Sequence, residues 1–319
     1  MTMLKRMIWV LLLSPAGLIQ AEVLTLPMED RPEWVRRDGI VMAGSWEPLL
    51  FRAKRDDQYP PSPELWADYR REQSPEMIAE LKDLGVNFVM MPAYKGFGLQ
   101  TEAEGMADSA RFARLCHEAG LRVGVYLGSG TLGWETLFEE DPQARDWLLR
   151  DQAGEPIPYY HQKFRYFWNR NHPEAVAHHQ KAVEFAIREI KTDLIHFDNF
   201  FVGPHYEALS VQRFRDYLAI TFGTAELGEM GIDDVASVTP PEPDAPDSLL
   251  RRAWLDFTCQ SLADAYYEMN RYIRARSMDV LVEFSPQLIR RRIEPPVDPG
   301  RLIPGGEAFW HEDYHADGP

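Results

Sequence analysis

From residue 39 onward, short apolar runs alternate with longer stretches in which apolar residues recur every three or four positions. The runs are GIVMAGS (39–45), NFVMMPA (87–93), LRVGVYL (121–127), DLIHFD (193–198), DVLVEF (279–284) and GEAFWH (306–311). Nearly continuous apolar runs of this length suit strands of a parallel sheet covered on both faces. Helix signals fall between them. Ser74 and Pro75 supply a cap and an N1 proline, and Gly85 supplies the stop. The stretch 109–119 repeats this pattern before Gly120, Pro173 opens EAVAHHQKAVEFAIREIK, and further helices are expected over 210–221 and 249–277.

Repeated βα units point to a TIM (β/α)8-type barrel or a doubly wound sheet. Long loops follow the C-terminal ends of the strands, where barrel enzymes keep their chemistry, so the barrel is favoured over 39–319. Six strands are visible where a closed barrel has about eight, and the expectation is a barrel truncated after about six βα units. The acidic stretch 223–248, near Pro240, Pro241, Pro243 and Pro246, reads as a surface insertion because the βα rhythm resumes after it. Residues 22–38 form an N-terminal segment. Ahead of it, Lys5 and Arg6 precede an apolar stretch (7–13) and small residues near Ala21, the pattern of a signal peptide over 1–21. An exported protein, periplasmic or secreted, is therefore expected. No later run is long enough for a membrane span.

Charge narrows the partners. Lys and Arg number 34 against 50 Asp and Glu, a net charge of −16 that repels nucleic acid and anionic lipid. Cys116 and Cys259 lie in helical patterns and read as buried thiols, and no CxxC pair is present to hold zinc. The string GSGTLG (128–133) spells a dinucleotide fingerprint, yet it follows the third strand, and Asp151 lies in a turn and not at a strand tip. It reads as a loop. No cofactor and no metal are expected.

The chemistry concentrates in DLIHFDNFF (193–201). Period-2 alternation puts His196 and Asp198 on one side of the strand, with Asp198 and Asn199 at its C-terminal end, facing the mouth of a barrel. Ionisable groups in so apolar a run are costly unless paired or functional. Cleaving a glycosidic bond takes two carboxyl groups, one as nucleophile or base and one as acid. Glu283, Glu307, Glu312 and Asp313 on the last two runs are the candidates for the second. Trp46, Tyr94, Lys95, Tyr126, Trp168 and Trp310 follow other strands, where aromatic faces can cover sugar rings and polar groups can bond hydroxyls. With His196 and Asn199 they make the expected carbohydrate-binding set.

MPAYKGFG, HEAGLRVGVYLG, DWLLRDQAGEPIP and HPEAVAHHQKAVEFAIREIKTDLIHFDNF together resemble bacterial glycoside hydrolase-like barrels, among them alpha-amylase-like and alpha-L-fucosidase-like hydrolases. The resemblance covers residues 39–313, and its sharpest piece is HFDNF. It implies an Asp198 nucleophile on the fourth strand, an acid/base at Glu312 or Asp313, and retention of configuration. Two other readings stay open. A metal-dependent hydrolase could use His196 with Asp198, or His311 and His315 with Asp313, although no HxH or HExxH spacing occurs. A degenerate barrel could bind glycans without cleaving them.

Overall fold

The computed structural model describes residues 32–45, 47–132, 135–160, 162–285, 292–293 and 296–309. The expected signal peptide (1–21) and the candidates Trp46, Trp310, Glu312 and Asp313 lie outside the described residues.

The chain opens with α1 (Glu33–Asp38), β1 (Met42–Gly44), α2 (Leu49–Arg55), α3 (Pro63–Arg71), α4 (Pro75–Asp83), β2 (Phe88–Tyr94), α5 (Ala103–Glu118) and β3 (Arg122–Gly128). It continues through β4 (Thr131–Leu132), α6 (Glu135–Glu140), β5 (Pro158–Tyr159), β6 (Gln162–Phe167), α7 (Pro173–Phe185) and β7 (Leu194–Asp198). Then come α8 (Ala208–Thr221), α9 (Thr224–Glu229), α10 (Leu249–Arg274), β8 (Leu281–Phe284), β9 (Arg292–Ile293), β10 (Pro296–Val297), α11 (Pro299–Leu302) and β11 (Ala308–Phe309).

Six strands make one sheet in the order β1-β2-β3-β7-β8-β11. Every neighbouring pair is parallel. Each of the six apolar runs supplies one strand, in chain order. The caps of α4 are those its sequence signals: Ser74 Oγ accepts from the Met77 amide at 3.2 Å, and Gly85 takes φ +84°. The helix expected over 109–119 begins earlier, at Ala103. Ser109 is no cap, because its buried hydroxyl donates to the Pro92 carbonyl at 2.6 Å and ties the helix to β2.

Alternation along the strands separates two environments. Val89, Met91, Val123, Val125, Leu127, Ile195, Phe197, Val282 and Phe284 join the main core with residues of α5, α7 and α10. On the other face Phe88, Met90, Leu194 and Leu281 form a second cluster, closed by Trp34 of α1. Trp34 stacks on Phe88 with ring centres 5.9 Å apart and carries Arg122 at 4.8 Å from its ring. Met42 of β1 and Ala308 of β11, the first and last strands of the sheet, pack against the same cluster.

Two further pieces complete the fold. An antiparallel sheet, β4-β6-β5, is inserted between β3 and α7. The sequence reading passes over it, since β4 and β5 are two residues each and carry no periodic signal. The 223–248 insertion buries Ile232 and Val238 in a satellite cluster with Phe214 and Leu218 of α8 and Trp254 and Phe257 of α10. Cys116 and Cys259 are both buried. Among the described residues, no helix is long and apolar enough to cross a membrane.

Candidate active site

Strand register assembles the site. Pro92, Tyr126, His196, Glu283 and Ala308 lie side by side across β2, β3, β7, β8 and β11. Tyr126, His196 and Glu283 therefore project from one face, directly above the apolar cluster closed by Trp34. Two residues further along β7, Asp198 is in register with Gly128. A Cβ on Gly128 would stand 3.1 Å from the Lys95 carbonyl oxygen, so the glycine lets the backbone at Lys95 close against the end of β3. A register shift between Pro92 and Tyr94 then decides which side chains of β2 face the site.

Asp198 is 6% exposed. Its Oδ2 accepts hydrogen bonds from the Tyr126 hydroxyl and from the Asn199 amide, and Lys95 Nζ stands 3.9 Å away. Lys95 Nζ also donates to the Tyr126 hydroxyl and lies 3.9 Å from the centre of that ring. Burial pulls the Lys95 ammonium down to about 8, while the charge of Asp198 works in the opposite direction. The Tyr126 phenol is pushed well above its usual range by burial and by the facing carboxylate, so it stays a donor.

The loop after β7 is held in place from two sides. Asn199 takes φ +54°, a left-handed conformation that asparagine tolerates better than most residues. Its Oδ1 accepts from the Tyr159 hydroxyl at 3.2 Å. Its carbonyl accepts from Arg170 Nη2 at 2.9 Å, and Arg170 Nη1 donates to the Val202 carbonyl. Burial lowers the Arg170 guanidinium to about 9, although Asp198 favours its charge. The loop after β2 has a carboxylate at its centre. Glu102 accepts the backbone amides of Lys95, Gly96 and Phe97 at 2.8, 2.8 and 2.7 Å. Burial lifts Glu102 to about 7 against the pull of these donors. One layer below Asp198, His196 Nδ1 and Glu283 Oε1 are 3.0 Å apart, and the His196 and Tyr126 rings lie 5.5 Å apart.

Of the residues expected from sequence, Lys95, Tyr126, His196, Asp198, Asn199 and Glu283 are thus brought together. Three others are not. The register shift turns Tyr94 onto the helix-packed face, where it is fully buried and its hydroxyl meets His178 Nε2 at 2.7 Å. Trp168 is buried in the same core, its Nε1 donating to the Ser129 carbonyl at 2.7 Å and its ring edge-on to His179. Glu307 sits beside Val282, a register below Glu283; its Oε2 accepts the Val282 amide at 2.7 Å and its Oε1 pairs with Arg274 of α10. These side chains hold the scaffold. Sequence reasoning also passed over Glu102, Arg165 and Arg170. In QKFRYF (162–167), Arg165 sits between Phe164 and Tyr166, an aromatic-rich strand signal that would have placed Arg165 on one face with Phe167. Among the described residues, no group of three or more His, Cys, Asp or Glu is arranged to hold a metal ion.

No protein-family model matches the sequence, and none of the curated proteins matches it. Solved structures do resemble it. Gan42B, a GH42 beta-galactosidase from G. stearothermophilus, is similar with a TM-score of 0.61 at 14% identity, over 86% of this chain and 41% of that one. The cold-adapted beta-galactosidase of Rahnella sp. R3 gives a TM-score of 0.60 at 16% identity, over 80% of this chain and 39% of that one. The beta-galactosidase of Bacillus circulans sp. alkalophilus gives 0.57 at 13% identity, over 78% and 39%. The chain spans about two fifths of the length of these structures. At such identities the likeness is one of fold. The chain has a parallel α/β fold similar to that of TIM-barrel glycoside hydrolases.

Proposed function

We propose that the protein is an exported glycosidase acting on a glycan with retention of configuration, and that Asp198 is its nucleophile. The observation that carries this reading is the setting of Asp198. It is a buried carboxylate at the C-terminal end of a central parallel strand, and Tyr126, Asn199 and Lys95 converge on one of its oxygens. Donors so placed hold the carboxylate at the strand end.

In the first step the Asp198 carboxylate attacks the anomeric carbon. The bond to the leaving oxygen breaks as a second carboxyl group gives that oxygen a proton. In the second step the same group takes a proton from water, the water oxygen bonds to the anomeric carbon, and Asp198 leaves as a carboxylate. We assign the second role to Glu312 or Asp313, which follow β11 in the chain. Glu283, held by His196, forms the floor beneath the reacting sugar. A (β/α)8-type wall around the site is supported by the cluster that both β1 and β11 pack against. Export rests on the pattern at 1–21.

The test is hydrolysis of aryl fucoside, galactoside, glucoside and xyloside by the full chain and by Asp198→Asn. Turnover of one member by the wild type, with a loss of about a thousandfold or more in the variant, is expected. Equal rates in the two proteins would remove Asp198 from the chemistry. No turnover by a folded protein would favour glycan binding without cleavage.

A further inference from the structure

The protein carries a net charge of −16, yet the residues gathered at Asp198 are rich in cations. Lys95, Arg165 and Arg170 are 5%, 4% and 7% exposed. Lys95 and Arg165 share a ring: the Lys95 ammonium lies 4.9 Å from the centre of Phe51 and the Arg165 guanidinium 5.0 Å from it. Arg165 also lies 3.8 Å from the centre of Tyr159, whose hydroxyl bonds Asn199 beside Asp198. The two cations thus meet one aromatic wall, and Arg165 lies near enough to depress Lys95, although Lys95 follows β2 and Arg165 lies within β6.

The anions do not balance them. Asp198 faces Lys95. Glu47 is paired with Arg55 at 2.5 Å, Glu102 is occupied by three backbone amides, and Glu283 is bonded to His196. Among the described residues, Arg165 donates to neutral acceptors, Gln162 Oε1 at 2.6 Å and Thr131 Oγ1 at 3.3 Å. Arg170 donates to carbonyls, and its buried Nε meets no partner among the described residues. Among the described residues, Asp198 is the one carboxylate whose charge reaches all three buried cations. Burial depresses all three basic groups, as expected of cations whose charge is incompletely met. Holding them costs stability unless a ligand supplies the missing anion.

We propose that the site takes an acidic sugar, a hexuronic acid residue whose carboxylate is seated between Arg165 and Lys95. A guanidinium presents paired N–H donors that match a carboxylate, and two cations braced on one ring fix where that carboxylate lies. A neutral hexose would leave Arg165 with only the charges of Asp198 and Glu47, neither of which accepts a hydrogen bond from it. As a statement about substrate this rests on the glycosidase reading; as a statement about binding it does not.

The experiment has two arms on the full chain. Calorimetry compares galacturonate and glucuronate with galactose and glucose, for wild type, Arg165→Gln and Arg165→Lys, each checked for folding by circular dichroism. Uronates are expected to bind roughly tenfold or more tightly than the neutral sugars, with the preference lost in Arg165→Gln, partly kept in Arg165→Lys and weakened by salt. The second arm adds aryl glucuronide and galacturonide to the neutral aryl glycosides. Neutral sugars binding as well as uronates, or an unchanged preference in folded Arg165→Gln, would overturn the inference. Uronate binding with no hydrolysis of any glycoside supports it and counts against the glycosidase reading. Hydrolysis of neutral glycosides with uronides untouched does the reverse.

Discussion

Tyr126 meets Lys95 on one side and Asp198 on the other, so its hydroxyl links the ammonium to the carboxylate. Tyr126→Phe keeps the ring that packs on His196 and removes the donor; kcat/KM is expected to fall by about ten- to a hundredfold with the fold intact, measured on whichever aryl glycoside the panel identifies. Lys95 is expected to set the alkaline limb. Its group is held down to about 8, so its charge beside Asp198 is lost above that pH, and kcat/KM should decline there. Lys95→Arg should move that limb upward, because a guanidinium keeps its charge. The stability sign is the opposite of the usual lysine case. Between about 8 and its ordinary 10.5 the folded chain holds fewer protons than the unfolded chain, so this group adds stability as pH rises through that window. Glu102 is raised to about 7, and between its ordinary 4.5 and that value the folded chain holds more protons. Its contribution is present below about 4.5 and is lost as pH climbs through 7, and thermal melts of Glu102→Gln should lack that fall. At this scale His196, Asp198 and Asn199 were legible because they interrupt one apolar run within four residues. Arg165 was not, because its place beside Lys95 depends on a short sheet and on Phe51, both distant in sequence.

The elements carry the site through close approaches that side chains would spoil. A Cβ on Gly130 would lie 2.4 Å from Asn199 Cβ and 2.5 Å from its carbonyl oxygen. Gly130→Ala must therefore push the loop after β7 outward; a loss of about 1–3 kcal/mol in chemical denaturation, together with a fall in activity, is the expected outcome. The strand runs were readable from apolar continuity, and the caps of α4 from Ser74, Pro75 and Gly85. The register shift in β2 was not readable. It turns Tyr94 to the helices and Lys95 to the site, reversing the simple expectation that both flank a sugar. The early start of α5 escaped for a related reason: Ser109 has the composition of a cap, but its hydroxyl is committed to β2.

For the molecule as a whole, one end of the sheet's inner face is apolar and the other holds the polar cluster. Trp34 closes the apolar end, 8% exposed and stacked on Phe88. Trp34→Ala should cost about 3–5 kcal/mol in a denaturation midpoint while leaving KM nearly unchanged, since the two ends are separated by a full layer of side chains. The βα rhythm made this parallel architecture legible. Two strands of the antiparallel sheet that delivers Arg165 are only two residues long and gave no signal, which left β6 unread beside them, and the carboxylates after β11 are assigned from their order in the chain. The most direct measurement is covalent trapping. The full chain is incubated with activated 2-deoxy-2-fluoro glycosides of the neutral sugars and uronic acids, digested, and mapped by mass spectrometry. A sugar label on the peptide containing Asp198, absent in Asp198→Asn, is the expected result. A label on another carboxylate, or turnover of these sugars with inversion and no label, would contradict the assignment of Asp198 as nucleophile.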